Sequence, residues 1–509
     1  RRAYKTIMDN LEAVSVPLDP SIQYYQVQMS APSLEDLTSD SRRMVDALEQ
    51  QHGVLCTAID IGLLRDISPA VRDWGWRAQA AIRGGECIAL HLPDTRHLGL
   101  AVDLGTTKIA GYLVDLSSGE TLASRGLMNP QIAQGEDVIS RITRALESTE
   151  KARDMQQLAV QTIAMLSEEL STEIGATPND IADAVIVGNT AMHHLLLRLP
   201  VEQLARAPYV PALSSALDIK ARDIGLPLAQ GAYVHLLPNI AGYVGADHVA
   251  MILSTRVYEA AGTILALDIG TNTEICLSNH GEMCSVSCAS GPAFEGAHIK
   301  HGMRAAAGAI ERLRLVDDEI EYQTIAGSPP VGLCGSGVLD ALAQLYLAGV
   351  LDRSGRMSND HPRVRVDDGN REFVLVGDPH DMDGSCITFT QHDVRELQLA
   401  KGAMHTGIQA LLEANGLSDQ DIDEVIIAGA FGSYIDVSSA IAIGMLPSLP
   451  LDRFRQVGNA SGTGARMALV SREQRAEATR IASHVRYIEL ASLPNFQDLF
   501  ARSMFLGDL

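Results

Sequence analysis

The chain has 509 residues, of which 40 are Lys or Arg and 63 are Asp or Glu, so its formal net charge is −23. This acidic balance argues against a nucleic-acid-binding surface and against an anionic membrane as a partner. With 46% hydrophobic residues, 4% aromatic residues and 43 glycines, the composition excludes a disordered chain and predicts a glycine-rich α/β protein of two to four domains.

The seven cysteines are odd in number and scattered, which argues against a disulfide framework and against ferredoxin-type cluster spacing. No apolar run approaches the length of a bilayer span, and the first residues lack the hydrophobic region of a signal peptide. We therefore predict a cytoplasmic protein without a membrane segment. The sequence begins without Met, as a fragment of a longer protein would.

Taken in chain order, residues 1–25 resemble an extended, proline-containing linker. Residues 26–96 contain a strand (YYQVQM), a helix beginning near SLEDLTSD and a second strand (ECIALHL), which predicts a small α/β domain. Ser33 is the predicted N-cap of this helix, because Asp36 follows it three residues later as in a capping box.

A strand cassette then occurs twice. Residues 98–125 and 263–284 each contain an apolar strand that ends in Asp-x-Gly-Thr, a second strand, and a turn with Gly-Glu. In such a cassette the glycine lets backbone N–H groups approach phosphate oxygens, and the carboxylate can hold hydrated magnesium. Two copies on two lobes would bind a nucleotide from opposite sides, which predicts an ATPase or kinase.

Three further turns contain small or polar residues at positions suited to anion binding. The strand DAVIVG leads to Asn189 and Thr190 at the start of a helix, and residues 335–337 open another helix. The strand EVIIAG ends in the Gly-Ala-Phe-Gly turn at 429–432. These turns could equally serve only to connect strands and helices tightly.

The remaining elements continue the alternation of strands and helices. A long helix is predicted over 393–415, with Gly416 as its stop. The glycine cluster at 458–465 is predicted to precede a polar helix. The alternation predicts α/β lobes.

Taken together, the motifs DLGTT, DIGTNTE, GNTAMHH and AGAFG resemble the phosphate, connecting and adenosine motifs of the superfamily of acetate and sugar kinases, heat-shock chaperones and actin. A single motif of this kind is weak evidence for the superfamily, but four motifs in this order are specific evidence for it. The resemblance implies a two-lobed, actin/hexokinase-like (ribonuclease H-like) ATPase over residues 97–509. Lobe one would cover about 97–245 and lobe two about 246–509, with the chain end returning toward lobe one.

Longer segments, including NPQIAQGEDVISRI, LLPNIAGYVGADHVA, CASGPAFEGAHIKHGMRAAAGAI and VGNASGTGARMAL, are similar to the reductive activators of corrinoid proteins. The resemblance covers nearly the whole chain. It implies that ATP drives the return of an inactive Co(II) corrinoid to Co(I). The implied partners are a corrinoid-binding protein of a methyltransferase system and an electron donor. The electron would come from a 2Fe–2S cluster in an N-terminal ferredoxin domain outside this sequence.

The motifs give each candidate residue a role. Asp103 and Asp268 are predicted to lie near Mg²⁺ and the β- and γ-phosphates, and Asp247 is predicted to be catalytic. The predicted nucleotide-binding residues are Gly105, Thr106, Thr107, Lys108, Asn189, Thr190, Gly270, Thr271, Asn272, Gly335, Ser336, Gly337, Lys401, Gly429, Ala430, Phe431 and Gly432.

Several of these residues have a structural alternative. Asp247, or the neighbouring His248, could orient the attacking water, but an N-cap explains Asp247 equally well. Lys401 could be a solvated lysine. Cys288 lies in a Cys-Ala-Ser-Gly segment similar to that of the four-iron activators of 2-hydroxyacyl-CoA dehydratases, although a buried, inert cysteine is the better interpretation. The His193-His194 pair is interpreted as packing histidines.

Three other functions stay open on the sequence. A small-molecule kinase would use Asp247 as its general base. A chaperone-like switch would bind nucleotide and remodel a partner without electron transfer. A four-iron dimeric activator would use Cys288. A homodimer is possible for any of them.

Overall fold

A computed structural model describes residues 14–367, 369–381, 386–429 and 431–507. These residues form two compact units. The first unit comprises 14–254 and Ser461–Ser483, and the second comprises Thr255–Ala460 and 484–507.

The first unit opens with a small four-stranded sheet in the order β1-β3-β4-β2. Apolar residues of its strands and of two helices, among them Met44 and Leu48, form a separate small core. The elements are β1 (Gln23–Gln28), α1 (Asp40–His52), β2 (Ala58–Ile59), α2 (Ile61–Asp73), β3 (Arg77–Arg83) and β4 (Glu86–His91).

The predicted helix start at Ser33 is wrong. Helix α1 begins at Asp40, and its N-cap is Ser39, whose hydroxyl accepts a hydrogen bond from the Arg42 amide. The Ser33 hydroxyl instead accepts hydrogen bonds from the amides of Glu35 and Asp36. A serine followed by acidic residues closes a local turn as readily as it caps a helix, which is why the sequence pattern misplaced the start.

The rest of the first unit is built on a six-stranded sheet in the order β7-β6-β5-β8-β10-β9. Strand β6 is antiparallel to both β5 and β7, whereas β8 is parallel to both β5 and β10. The elements are β5 (Leu98–Leu104), β6 (Lys108–Asp115), β7 (Thr121–Met128), α3 (Val138–Leu146), α4 (Thr149–Glu173), β8 (Ile181–Val187), α5 (Thr190–Leu197), β9 (Leu217–Lys220), β10 (Tyr233–Leu236) and α6 (Ala246–Thr255).

The second unit is built on a six-stranded sheet in the order β21-β20-β11-β12-β13-β22. Two three-stranded sheets, ordered β15-β14-β16 and β17-β18-β19, accompany it. Its elements, with the helices α10 and α11 that return to the first unit, are β11 (Thr263–Ile269), β12 (Thr273–Asn279), β13 (Glu282–Cys288), β14 (Ala309–Val316), β15 (Glu319–Thr324), β16 (Gly332–Leu333), α7 (Gly335–Leu347), β17 (Val364–Asp367), β18 (Asn370–Val376), β19 (Ile387–Thr390), α8 (Gln391–Asn415), β20 (Glu424–Ala428), α9 (Val437–Ala442), β21 (Phe454–Gly458), α10 (Ala460–Val470), α11 (Arg472–His484), β22 (Arg486–Tyr487) and α12 (Phe496–Ser503).

The two large sheets share a five-stranded topology. In each, an antiparallel meander of three strands (β5-β6-β7 or β11-β12-β13) is extended by two parallel strands, β8 and β10 or β20 and β21. The sixth strands differ, because β9 pairs with β10 whereas β22 pairs with β13. The duplication seen in the sequence therefore extends to five strands of each sheet. This arrangement confirms the predicted ribonuclease H-like α/β fold class.

The long helix in the second unit also matches its prediction. Helix α8 begins after Thr390, whose side chain forms a capping box with Asp393, and it ends at Gly416 in the left-handed conformation. The glycine cluster at 458–465 differs from its prediction, because α10 already begins at Ala460. A Cβ at Gly464 would lie 2.1 Å from the carbonyl oxygen of Ala250, so this glycine permits close packing of α10 on α6.

Besides its separate small core, the small sheet contributes residues to the core of the large sheet. Ile22 and Ile88 belong to the same buried cluster as Leu100 and Val102 of β5. Polar contacts join the two sheets as well. The Asp60 carboxylate pairs with Lys220 at 3.0 Å and with Arg222 at 2.7 Å. No helix among the described residues is long and apolar enough to cross a bilayer.

We expect Asp60→Asn to lower the free energy of unfolding by about 1–3 kcal/mol at pH 7, because it removes a buried ionic partner. Asparagine preserves the N-cap that Asp60 provides for α2, so the change isolates the charge. Burial raises the pKa of Asp60, but hydrogen bonds from Arg222 and Lys220 outweigh burial and lower it to about 2. The stability difference from wild type should therefore be full above about pH 4 and shrink as the pH falls toward 2.

Urea denaturation across this pH range measures the effect. The control is Asp46→Asn, which removes an exposed pair with Arg42 and should change stability by less than about 0.5 kcal/mol. Equal losses in the two variants would contradict the assignment.

Candidate functional site

In the first unit, the predicted phosphate turn follows the central strand β5. Asp103 is half-buried near the end of this strand and lies in register with Ala110 of β6 and Val187 of β8. The turn that follows is tight, since a Cβ at Gly105 would lie 2.5 Å from the carbonyl oxygen of Lys108. The backbone can therefore turn here only with glycine, which leaves the carboxylate beside the turn.

The parallel neighbour of β5 brings a second predicted residue to the same turn. Asn189 follows β8, and its side-chain oxygen caps α5 by accepting a hydrogen bond from the Met192 amide at 2.9 Å. The amide nitrogen of the same side chain donates to the Thr106 hydroxyl at 3.2 Å. Asn189 is thus both an N-cap and a contact of the first turn.

Helix α6 begins against the same strand end. A Cβ at Gly245 would lie 2.4 Å from the Cα of Asn189, and the Ala246 amide donates to the Gly188 carbonyl at 3.0 Å. Asp247 lies in the first turn of α6 and is half-buried. The Ser461 hydroxyl donates to its backbone carbonyl at 3.0 Å. The fold therefore places Asp247 next to the Gly188-Asn189 turn.

Asp247 and its neighbour His248 lie in different chemical environments. His248 is fully buried, and burial lowers its pKa to about 3. An imidazole that stays neutral in this way suits packing, so Asp247 is the better candidate for orienting water.

In the second unit, the equivalent turn is formed around Asp268. This half-buried residue lies in register with Glu274 of β12 and Ala428 of β20. Gly429 follows β20 with φ +92°, and a Cβ there would lie 2.8 Å from the Asp268 carboxylate and 2.5 Å from the Ile269 carbonyl oxygen. The predicted adenosine turn thus packs directly against the predicted metal-binding carboxylate.

A third predicted turn lies beside this one. Helix α7 begins at Gly335, and a Cβ there would lie 2.9 Å from the ring of Phe431. The Phe431 ring stacks on Phe294 with a centroid distance of 5.2 Å. Gly335 and the 429–432 turn are therefore neighbours, as binding of one nucleoside would require. Ala430 lies outside the described residues.

Two side chains of the predicted binding turns, one in each unit, donate hydrogen bonds to backbone carbonyls. The Thr190 hydroxyl is fully buried and donates to the Ala241 carbonyl at 2.6 Å. The Ser336 hydroxyl donates to the Glu311 carbonyl at 2.8 Å. In this structure both side chains hold their turns in place, so backbone groups are what these positions offer to a ligand.

Lys401 forms its hydrogen bond inside the second unit. Its side chain is fully buried on α8, and the ammonium donates to the Phe505 carbonyl at 2.6 Å. Burial, with a smaller contribution from Arg353, lowers its pKa to about 7. The alternative of a solvated lysine is wrong, and a role in nucleotide binding stays a prediction.

The cysteines and the paired histidines are packing residues. Cys288 is buried against Gly407 of α8, and burial raises the pKa of its thiol above the ordinary range. His194 lies between the Thr190 carbonyl and the Ala212 amide, at 2.7 Å and 3.0 Å. Within the described ranges, no group of three or more His, Cys, Asp or Glu side chains could hold a metal ion.

Sequence reasoning missed several residues that contact the two turns. Asn129 and Arg141 donate to carbonyl oxygens of the first turn. Glu295 accepts a hydrogen bond from the Thr271 hydroxyl at 2.8 Å, and Ser290 contacts the carbonyls of the second turn. All four lie in segments that resemble the family. A sequence motif, however, does not show which of its side chains contacts a turn.

Comparison with known proteins bears directly on this architecture. Three family models match consecutive parts of the chain: the RACo linker region over residues 12–97, the RACo middle region over 98–260, and the C-terminal domain of RACo, the ASKHA domain, over 262–508. The chain belongs to the RACo family. ASKHA is the acetate and sugar kinase, heat-shock chaperone and actin superfamily, so the predicted superfamily is confirmed.

Individual RACo-family relatives agree with this assignment. The corrinoid activation enzyme RamQ of Eubacterium limosum is 34% identical over 520 residues, covering 100% of this chain and 87% of RamQ. The [Co(II) methylated amine-specific corrinoid protein] reductase of Methanosarcina barkeri is 24% identical over 79% of this chain and 76% of its own. The solved structure of a reductive activator for corrinoid, iron–sulfur protein has a TM-score of 0.84 and 35% identity, covering 97% of this chain and 80% of that chain.

We expect Gly429→Ala to displace the Asp268 carboxylate, because the added methyl group would overlap both the carboxylate and a backbone oxygen. ATP hydrolysis should fall by about tenfold or more, which corresponds to at least ~1.4 kcal/mol of activation free energy. Steady-state hydrolysis and thermal unfolding are the measurements.

The matched control is Gly416→Ala. Gly416 also has a positive φ, of +66°, but nothing lies within 4 Å of an added Cβ. This variant should lose about 1–2 kcal/mol of stability and keep its hydrolysis rate. Equal rates in the two variants would show that the contact with Asp268 is unimportant.

Proposed function

We propose that this chain is an ATP-dependent reductive activator of a corrinoid protein, which returns Co(II) in its partner to Co(I). One observation carries the proposal. The chain is 34% identical over its full length to a corrinoid activation enzyme, and it carries the Asp-Gly turn at equivalent strand ends of both duplicated sheets. The substrate is the corrinoid of another protein.

ATP and Mg²⁺ are the ligands that suit the residues at the two turns. Asp103 and Asp268 are half-buried carboxylates beside glycine turns, and Thr106, Thr107, Thr271 and Asn272 add hydroxyl, amide and backbone N–H groups. Oxygen donors with room for water suit Mg²⁺, which gives up its hydration shell reluctantly. When bound, the ion would neutralise charge on the β- and γ-phosphates.

Hydrolysis needs a water molecule oriented toward the γ-phosphate. Asp247 is held beside the Gly188-Asn189 turn by backbone contacts, and Asn189 itself touches Thr106. A carboxylate in this position can accept a hydrogen bond from water and orient it for attack. Lys108, exposed at the start of β6, could offset the charge that develops on the phosphate.

The need for ATP follows from the thermodynamics of the reduction. One electron must reach Co(II) from a mild donor, and this transfer is uphill unless the ligation of cobalt or the stability of the complex changes. A nucleotide can supply this change only by binding two states of the protein with different affinities. We propose that the nucleotide state of the ASKHA domain sets the affinity for the corrinoid protein.

The electron donor lies outside the described residues in this proposal. The seven cysteines are all buried, and their scattered positions do not fit a 2Fe–2S cluster. A ferredoxin-type domain with such a cluster, in the same protein or in a partner, would deliver the electron. A cytoplasmic location and a homodimer remain predictions.

We expect Asp103→Asn and Asp268→Asn each to lower ATP hydrolysis by about 100-fold, since each removes a charge from the Mg²⁺ site. ATP-dependent conversion of Co(II) to Co(I) in a supplied corrinoid protein, followed by its absorption spectrum, should be lost in parallel. Asp183→Asn, which changes a buried carboxylate paired with Arg475, is the control for a merely destabilising change.

The same assay separates the kinase alternative. Formation of a phosphorylated small molecule without any change in the cobalt spectrum would contradict the proposal. Slow hydrolysis that releases the partner without electron transfer would favour the chaperone-like switch instead.

The four-iron alternative has its own test. We expect Cys288→Ala to keep ATP hydrolysis within about twofold of wild type and to leave the iron content of the purified protein unchanged, because this thiol is buried against α8. Loss of bound iron together with activity would show that Cys288 is a cluster ligand.

A further inference from the structure

Each backbone carbonyl of the first phosphate turn, residues 105–107, accepts a hydrogen bond from a neighbouring segment. The side-chain amide of Asn129 donates to the Gly105 carbonyl at 2.9 Å, and its backbone amide donates to the Thr107 carbonyl at 3.0 Å. The guanidinium of Arg141 donates to the carbonyl between them, that of Thr106, at 2.6 Å. Three consecutive peptide groups thus have their oxygens fixed by two residues from a neighbouring segment.

Fixing these oxygens also fixes the direction of the following N–H groups. A trans peptide is planar, and its C=O and N–H point in opposite directions. Among the described residues the only cis peptide bond is Ala207-Pro208, so the peptides of this turn are trans. The N–H groups of Thr106 and Thr107 therefore point away from Asn129 and Arg141. Successive N–H groups directed to one side form an anion-binding concavity.

Arg141 is a fully buried cation. Its side chain is 0% exposed, and it also donates to the Gly135 carbonyl at 2.9 Å and to the Gln131 side chain at 3.3 Å. In the described part of the chain, no carboxylate lies within 4.0 Å of its guanidinium. Burial lowers its pKa and the charge of Asp137 partly opposes this, so the pKa falls only to about 10 and Arg141 stays protonated at neutral pH. A buried cation without an ion-pair partner is costly, and an anion at the turn would lower that cost.

The second turn is held in a related but weaker way. There the Ser290 hydroxyl lies 3.2 Å from the Gly270 carbonyl, 3.3 Å from the Thr271 carbonyl and 2.8 Å from the Thr273 hydroxyl. The single Ser290 hydroxyl proton has to serve both carbonyls, whereas each carbonyl of the first turn has its own donor. The first turn is therefore the more rigidly prepared of the two.

We propose that Asn129 and Arg141 are positioning residues for the phosphates of ATP: they aim the amides of the 105–107 turn at the phosphate oxygens, and Arg141 adds positive charge behind the turn. The proposal rests on ATP binding as proposed above and adds the two residues that prepare this turn. Neither residue needs to touch the nucleotide.

The test compares Arg141→Gln, Arg141→Lys and Asn129→Ala in ATP hydrolysis. Because the amides would contact phosphate in the bound state as well as in the transition state, KM for ATP should rise about tenfold or more in Arg141→Gln, with a smaller change in kcat. Lysine keeps the charge and one hydrogen bond, so Arg141→Lys should recover part of the loss. Asn129→Ala should also raise KM, and it keeps the proposal testable if Arg141→Gln does not fold.

Hydrogen exchange of the peptide spanning 104–109 provides a readout without catalysis. In wild type, Mg·ADP should slow exchange of this peptide, and the slowing should be reduced in the variants. The matched control is Arg43→Gln, since Arg43 is a buried arginine that donates to the carbonyls of Ser30, Asp36 and Thr38 in the small sheet domain. It should lose stability with unchanged KM and unchanged protection.

Wild-type KM in both Arg141→Gln and Asn129→Ala would overturn the inference, as would an equal rise in Arg43→Gln. A wild-type protein that shows neither ATP hydrolysis nor nucleotide-dependent protection would instead defeat the proposed function itself.

Discussion

The structure depends on tight glycine turns beside the aspartates at the ends of two central strands. At Gly105 an added methyl group would overlap the Lys108 carbonyl, and at Gly429 it would overlap the Asp268 side chain. Glycine at 105 therefore keeps the turn after Asp103 closed, and glycine at 429 leaves room for the Asp268 carboxylate. Two sheets that share a five-stranded topology thus give the protein two carboxylates, each beside a turn of backbone amides suited to phosphate.

Around these turns, hydrogen bonds from buried polar side chains fix the orientation of backbone carbonyl groups. Thr190, Ser336 and Arg141 are buried, and each donates to a backbone carbonyl near a predicted binding turn. A buried donor that lost its acceptor would cost about 1–3 kcal/mol, so each of these bonds resists rearrangement of its turn. Rigid turns of this kind suit a protein that must distinguish nucleotide states, because small changes in the ligand are then passed to whole elements rather than absorbed locally.

Much of the fold was predictable from the sequence, because its signals are local and repeated. The two cassettes, the strand before Asn189 and the helix ending at Gly416 were found from periodicity and glycine placement, and the structure has them within a few residues. The predicted helix start at Ser33 was wrong, because a serine followed by acidic residues also closes a turn. The glycine cluster at 458–465 was predicted only to precede a polar helix, but most of it lies inside α10, where Gly464 permits the packing of two helices.

The residues behind the turns could not be predicted in the same way. Asn129, Arg141 and Ser290 donate to backbone carbonyls that are distant in sequence, and only the tertiary fold brings these groups together. For Lys401, a lysine on a helix face suggested nucleotide contact or solvent. The solvated alternative is wrong, because the ammonium is buried and donates to the Phe505 carbonyl, whereas nucleotide contact stays a prediction. The periodicity of the sequence shows which face of a helix a residue occupies, whereas the group that packs against that face depends on the tertiary fold.

The central claim is that the Asp103 and Asp268 turns bind the phosphates and metal of ATP. A crystal structure with a non-hydrolysable ATP analogue and Mn²⁺, whose anomalous signal locates the metal, tests it most directly. The account predicts phosphate oxygens at the amides of Thr106 and Thr107 and a metal ion bound, directly or through water, by Asp103 or by Asp268. Nucleotide density remote from both turns, or a metal bound elsewhere, would contradict it.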